Sequence, residues 1–87
     1  MNDEADRRAL SGTVLDLLRK IAPELEPAAI DPHRPLRRQV DLDSMDWLNF
    51  LIALGAHFGI EIPEADYARL VSLADVIDYV KAGRHGS

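Results

Sequence analysis

The chain has no cysteine, which excludes disulfide stapling, a cysteine nucleophile and any thiolate metal site. Thiol chemistry would have to be imported. It also lacks any apolar run near the roughly 20 residues a membrane helix needs, and its start, MNDEADRR, is charged where a signal peptide turns apolar. These two absences set the expectation of a cytoplasmic protein without a membrane span. Lysine and arginine are missing between Arg38 and Arg69, a stretch that holds Asp41, Asp43, Asp46, Glu61, Glu64 and Asp66. Such a one-signed field repels nucleic acid and favours partners with a basic patch, although an ordinary solvated acidic surface would look the same.

What is present fits one small core. With 87 residues, 47% of them hydrophobic, the apolar side chains cannot be shared between two cores. A single domain over 1–87 is expected, with its core at about 6–82 and a frayed, disordered tail over 83–87. Apolar residues at Leu10, Val14, Leu17, Leu18 and Ile21 have the spacing of an amphipathic helix from Ala9 to Ile21, which Pro23 stops. Pro23, Pro27, Pro32 and Pro35 then mark a long loop pinned by Leu25, Ile30, Leu36 and Val40. Asp43 as N-cap, with Asp46 three residues on, starts a helix at Ser44 that runs to about Phe58 and stops at Gly59. A short turn of helix follows over Glu64 to Leu70. Ser72 and Asp75 resemble a capping box ahead of a last helix through Leu73, Val76, Ile77 and Val80, ended by Gly83.

The helix at Ser44 carries two apolar faces. A wheel at 100° per residue places Trp47, Leu51, Leu54 and Phe58 on one side, the expected core seam. Met45, Leu48 and Ile52 fall on another, with Gly55 and Ala56 continuing it. An outward apolar face implies a partner site, unless the helix is buried on both sides. Gly55 weakens the helix by roughly 1 kcal/mol relative to alanine; it permits a close approach or is an imperfection. Trp47 is a core aromatic or a lid beside whatever Ser44 carries.

A serine at a helix N-terminus has free N–H groups and the positive end of the helix dipole beside it, which favours a phosphodiester on its oxygen. Nucleophilic catalysis needs a base within hydrogen-bond reach, and His57 is thirteen residues away. No catalytic residue is therefore assigned. Asp41, Asp43 and Asp46 fail the EF-hand pattern, because Asp46 stands where its glycine belongs and no glutamate closes the loop, so no metal site is expected either.

Asp43-Ser44-Met45-Asp46 resembles the D-S-L-D attachment motif of acyl carrier proteins. Phe58-Gly59-Ile60-Glu61-Ile62-Pro63-Glu64 is similar to that family's F-x-x-x-I-P-[DE] segment, and Asp75-Val76-Ile77-Asp78-Tyr79-Val80 to its final-helix pattern. The likeness runs from about Ile30 to Val80. It implies an all-α, four-helix acyl-carrier-like bundle with a long ordered loop between its first two helices and a short third helix. It further implies a non-enzymatic carrier, with 4'-phosphopantetheine attached covalently to Ser44 and an acyl or aminoacyl group held as a thioester. The implied partners are a phosphopantetheinyl transferase and acyl- or aminoacyl-loading ligases, synthases or transferases, met by a monomer whose partner sites stay free. Partner binding would fall to Met45, Leu48, Asn49, Ile52 and Ala56, and an acyl pocket to Leu51, Leu54, Ile62, Leu70 and Val76.

The sequence departs from the family where acidic residues commonly follow along the helix, having Asn49, Gly55, Ala56 and His57. It also has Arg37-Arg38-Gln39 where an acidic pair commonly precedes the motif, and Val40-Asp41-Leu42-Asp43-Ser44 in place of L-G-x-D-S. These changes imply a specialised lipid, polyketide or aminoacyl pathway. The competing expectation is a helical adaptor that keeps the fold and leaves Ser44 unmodified.

Overall fold

The structure, a computed structural model, describes residues 3–85, with side chains through Gly83. Helix α1 spans Asp3–Ile21, and buries Leu10, Val14, Leu15, Leu17 and Leu18. It starts nearly two turns before the predicted Ala9. Those turns carry no apolar periodicity; Asp3, Glu4 and Asp6 instead complement the positive end of the helix dipole. Ion pairs from Lys81 to Asp3 and Asp6, and from Arg7 to Asp78, tie the same turns to the last helix.

The proline-rich connection is ordered by its own bonds. It contains a 3-10 turn at Pro27–Ala29 and a one-turn helix, α2, at Leu36–Gln39. Gln39 staples the loop: its Oε1 accepts from the Asp31 N–H at 2.7 Å, and its Nε2 donates to the carbonyls of Asp31 and Arg34 at 2.9 and 3.0 Å. Leu25, Leu36 and Val40 are buried and Ile30 packs beside them, joined by Leu42, which sequence periodicity did not single out. The loop also docks on the far end of the chain. Leu36 N–H donates to the Val71 carbonyl, and Ala74 N–H to the Pro32 carbonyl, each at 2.9 Å.

Helix α3 spans Ser44–Phe58, a 3-10 segment spans Glu64–Arg69, and α4 spans Leu73–His85. The reciprocal bonds of Ser72 and Asp75 form the expected capping box, with Asp75 N–H 3.2 Å from Ser72 Oγ and Ser72 N–H 3.0 Å from an Asp75 carboxylate oxygen. α1 packs against both α3 and α4, and the buried side chains form one cluster centred on residues such as Leu18, Phe50, Leu54, Val76 and Val80.

Gly83 does not end α4, which continues to His85. The expectation that Gly83 ends the helix is therefore corrected, and residues 86–87 of the expected tail over 83–87 lie outside the described residues. The glycine serves packing instead: a β-carbon at Gly83 would stand 3.1 Å from Ile60 Cγ2. Among the described residues no helix is long and apolar enough to cross a membrane.

Candidate functional site

Ser44 is the first residue of α3, and its side chain is exposed. The turn that presents it is fixed locally. Asp43, with extended backbone, accepts the Asp46 N–H on its Oδ1 at 2.8 Å, while its own N–H points at Asp46 Oδ2 at 3.4 Å. The Trp47 N–H donates to the Asp43 carbonyl at 3.0 Å. Of the four N–H groups a helix start leaves open, here those of Asp43, Ser44, Met45 and Asp46, the reciprocal box meets the first and the last, while Trp47 begins the ordinary helix ladder. The N–H groups of Ser44 and Met45 have no acceptor among the described residues. They sit beside the serine hydroxyl at the positive end of the helix dipole, an arrangement that fits a phosphate ester on its oxygen.

The charges around this point are of both signs. Asp41 and Asp43 are exposed and Asp46 is half-buried. Opposite in sign, Arg37 from α2 directs its Nε and Nη2 at the Leu42 carbonyl, each at 3.4 Å. The sequence shows Arg37 only as a departure from a motif; its fold-back onto the residue two before Ser44 emerges with the one-turn helix.

Met45 and Ile52 are 64% and 59% exposed, unusually open for large apolar side chains, with Leu48 half-buried and Asn49 and Ala56 exposed. Gly55 does not continue this face. The Ile60 carbonyl folds back to 3.0 Å from where its β-carbon would lie, so the glycine admits the chain's own backbone. Trp47 is buried, its ring 5.2 Å from Phe50, which places it in the core and not over Ser44 as a lid. Phe50, absent from the predicted seam, is fully buried. Val71, on the approach to α4, is a further exposed apolar side chain that periodicity gave no reason to pick.

Leu51, Leu54, Leu70 and Val76 lie in the core with no more than 3% exposure, and Ile62 packs against it half-buried. A surface groove of about 620 Å³, lined by Glu61, Arg69, Leu70, Asp75, Tyr79 and Gly83 among others, touches only Leu70 of these five. Tyr79 donates to Asp66 Oδ2 at 2.6 Å, and its burial together with that bond pushes the phenol up to about 12. His57, in the last turn of α3, is about 20 Å along the helix from Ser44 at 1.5 Å per residue. Among the described residues no three His, Cys, Asp or Glu side chains gather to hold a metal.

A capped serine with open N–H groups, on a helix with an exposed apolar face, has the form of an attachment point presented to other proteins. A family model described as the phosphopantetheine attachment site matches residues 12–80. The chain belongs to this family, that of the acyl carrier proteins, whose cofactor is covalently attached 4'-phosphopantetheine. It is 30% identical over 71 residues to the acyl carrier protein of Campylobacter curvus, covering 78% of this chain and 92% of that protein. To the acyl carrier protein of Thermosynechococcus vestitus it is 29% identical over 56 residues, 64% of this chain and 69% of the relative. To that of Campylobacter hominis it is 33% identical over 55 residues, 63% and 70% of the two chains.

Proposed function

We propose that Ser44 is the residue that carries 4'-phosphopantetheine, and that the chain presents acyl or aminoacyl groups to partner enzymes of a specialised lipid, polyketide or related pathway. The single observation that carries this reading is the exposed Ser44 beside the open N–H groups of Ser44 and Met45 at the capped start of α3. The serine supplies the ester oxygen, and the N–H groups and helix dipole favour the phosphate charge. The arm supplies the thiol that the cysteine-free chain lacks, and with it the thioester.

Met45, Leu48 and Ile52, rimmed by Asn49 and Ala56, form the docking face for the transferase and for loading ligases, synthases or transferases. Exposed methionine and isoleucine reward an apolar partner surface that tolerates different shapes. The thinned acidity along α3 supports partners other than those that grip a fully acidic helix. Leu51, Leu54, Ile62, Leu70 and Val76 are the side chains a sheltered acyl chain would meet, and their close packing means that shelter requires the core to part. The chain itself acts as a carrier in the cell interior and not as a catalyst. An unmodified adaptor would use the same exposed face, so modification of Ser44 is what separates the two readings.

The test follows from the chain's own cleavage sites. Trypsin releases the segment from Gln39 to Arg69 whole, and Ser44 is its only serine. After incubation with coenzyme A, magnesium and a broad-specificity phosphopantetheinyl transferase, the added mass is expected on this peptide and, by fragmentation, on Ser44. Added mass on another peptide, or none, contradicts the assignment.

A further inference from the structure

The cations of this chain divide into two groups. Arg7, Arg8, Arg69 and Lys81 each pair with a carboxylate. Arg19 and Lys20 at the end of α1, and the trio Arg34, Arg37 and Arg38, pair with none among the described residues. The trio stands in the segment that leads into the Ser44 turn, and one of its members is aimed.

Arg37 places both Nε and Nη2 on a single acceptor, the Leu42 carbonyl, at 3.4 Å each. Two long bonds shared on one oxygen are weak, and they leave guanidinium donors unused. Leu42 and Ser44 are separated only by Asp43, whose backbone is extended at φ −81° and ψ −178°, so their Cα atoms lie about 7 Å apart. Asp43 and Asp46, by contrast, bring carboxylates to the same turn. A phosphodiester on Ser44 would therefore meet a negative rim, with Arg37 the cation fastened nearest to it along the chain.

We propose that Arg37 holds the phosphodiester of the Ser44-bound arm, donating guanidinium N–H groups to its oxygens and so fixing the base of the arm at the α2–α3 corner. This rests on the attachment to Ser44 proposed above. An arginine suits the task because its planar fork stays charged and can hold two oxygens at once. Arg38, its neighbour, is exposed and makes no bond to Leu42, which makes it the matched control for charge alone.

The experiment is phosphorus NMR on the holo-protein, comparing wild type with Arg37→Gln, Arg37→Lys and Arg38→Gln, from about 0.01 M to about 1 M salt. Screening lengths fall from about 30 Å to about 3 Å over that range. The wild-type phosphodiester resonance is expected to move with salt toward the position it holds in Arg37→Gln at all salts. Arg38→Gln should follow the wild type, and Arg37→Lys should retain at least about half of the salt-dependent shift. Two results would overturn the inference: Arg37→Gln and Arg38→Gln giving the same resonance, or Arg37→Lys behaving as Arg37→Gln. The latter would trace the effect to the Leu42 carbonyl. If mass spectrometry finds no arm on any variant, the carrier reading fails first and this inference with it; an arm present with an Arg37-independent resonance defeats the inference alone.

Discussion

Gly83 and Ile60 meet so closely that a β-carbon on the glycine would stand 3.1 Å from Ile60 Cγ2. Gly55 borders the backbone of the same residue, its would-be β-carbon 3.0 Å from the Ile60 carbonyl oxygen. The two contacts differ in what can yield. At Gly83 the neighbour is a half-buried side chain, and the roughly 1 kcal/mol gained in helix propensity offsets a small shift. At Gly55 the neighbour is backbone, held by the bond from the Ile60 N–H to the Gly55 carbonyl at 3.0 Å. Gly83→Ala is thus expected within about 1 kcal/mol of wild type, and Gly55→Ala destabilised by about 1 kcal/mol or more despite its better propensity. Urea denaturation midpoints check the order; the reverse order would contradict this packing.

The start of α3 rests on Asp43 more than on Asp46. The bond that Asp43 accepts is 2.8 Å, whereas the return bond to Asp46 is 3.4 Å. Asp43→Ala is expected to lower stability by about 1 kcal/mol, and Asp46→Asn by clearly less, in the same denaturation experiment. Equal losses would mean that the two halves of the box matter alike.

The two faces of α3 are expected to part under substitution. Ile52→Glu should change stability by no more than about 0.5 kcal/mol while slowing transfer from a phosphopantetheinyl transferase or a loading enzyme. Phe50→Ala, two residues earlier and fully buried, should cost about 3–5 kcal/mol. Unfolding of Ile52→Glu would show the second face to be core.

Tyr79 should titrate late. Burial first, and the bond to Asp66 second, raise its phenol to about 12 from an ordinary 10.0. The folded state therefore favours the neutral phenol. That contribution is complete below about pH 10, where the unfolded phenol begins to ionise, and is lost as pH climbs through about 12. Ultraviolet titration in a Tyr67→Phe background reads Tyr79 alone. Asp66→Asn should lower its midpoint only part of the way, since burial remains; a midpoint at the free-phenol value in the wild type would contradict the structure.

How much of this was legible in the sequence follows the range of each interaction. Both ends of α3 were, because caps are local: Asp43 with Asp46 at one end, and Gly59, in the left-handed region at φ 65°, at the other. The Ser72–Asp75 box was legible for the same reason. Phe50 was missed because the seam was traced through Trp47, Leu51 and Leu54, and residue 50 sits just beside that line on the wheel. The first turns of α1 were missed because polar residues show no periodicity, and their ion pairs reach to Asp78 and Lys81. Gly83 was misread because the reason for it, Ile60, is remote in sequence. At the candidate site, Ser44 and its turn were legible, whereas the approach of Arg37 to Leu42 depends on α2, a single turn that follows Pro35 in a loop without helical periodicity.

Whether Ser44 bears the arm is read from intact mass. Wild type and Ser44→Ala would each be weighed before and after incubation with coenzyme A, magnesium and a broad-specificity phosphopantetheinyl transferase. A gain of one phosphopantetheine is expected on the wild type and none on Ser44→Ala, with both variants folded. No gain on folded wild type, or an equal gain on both, would contradict attachment at Ser44.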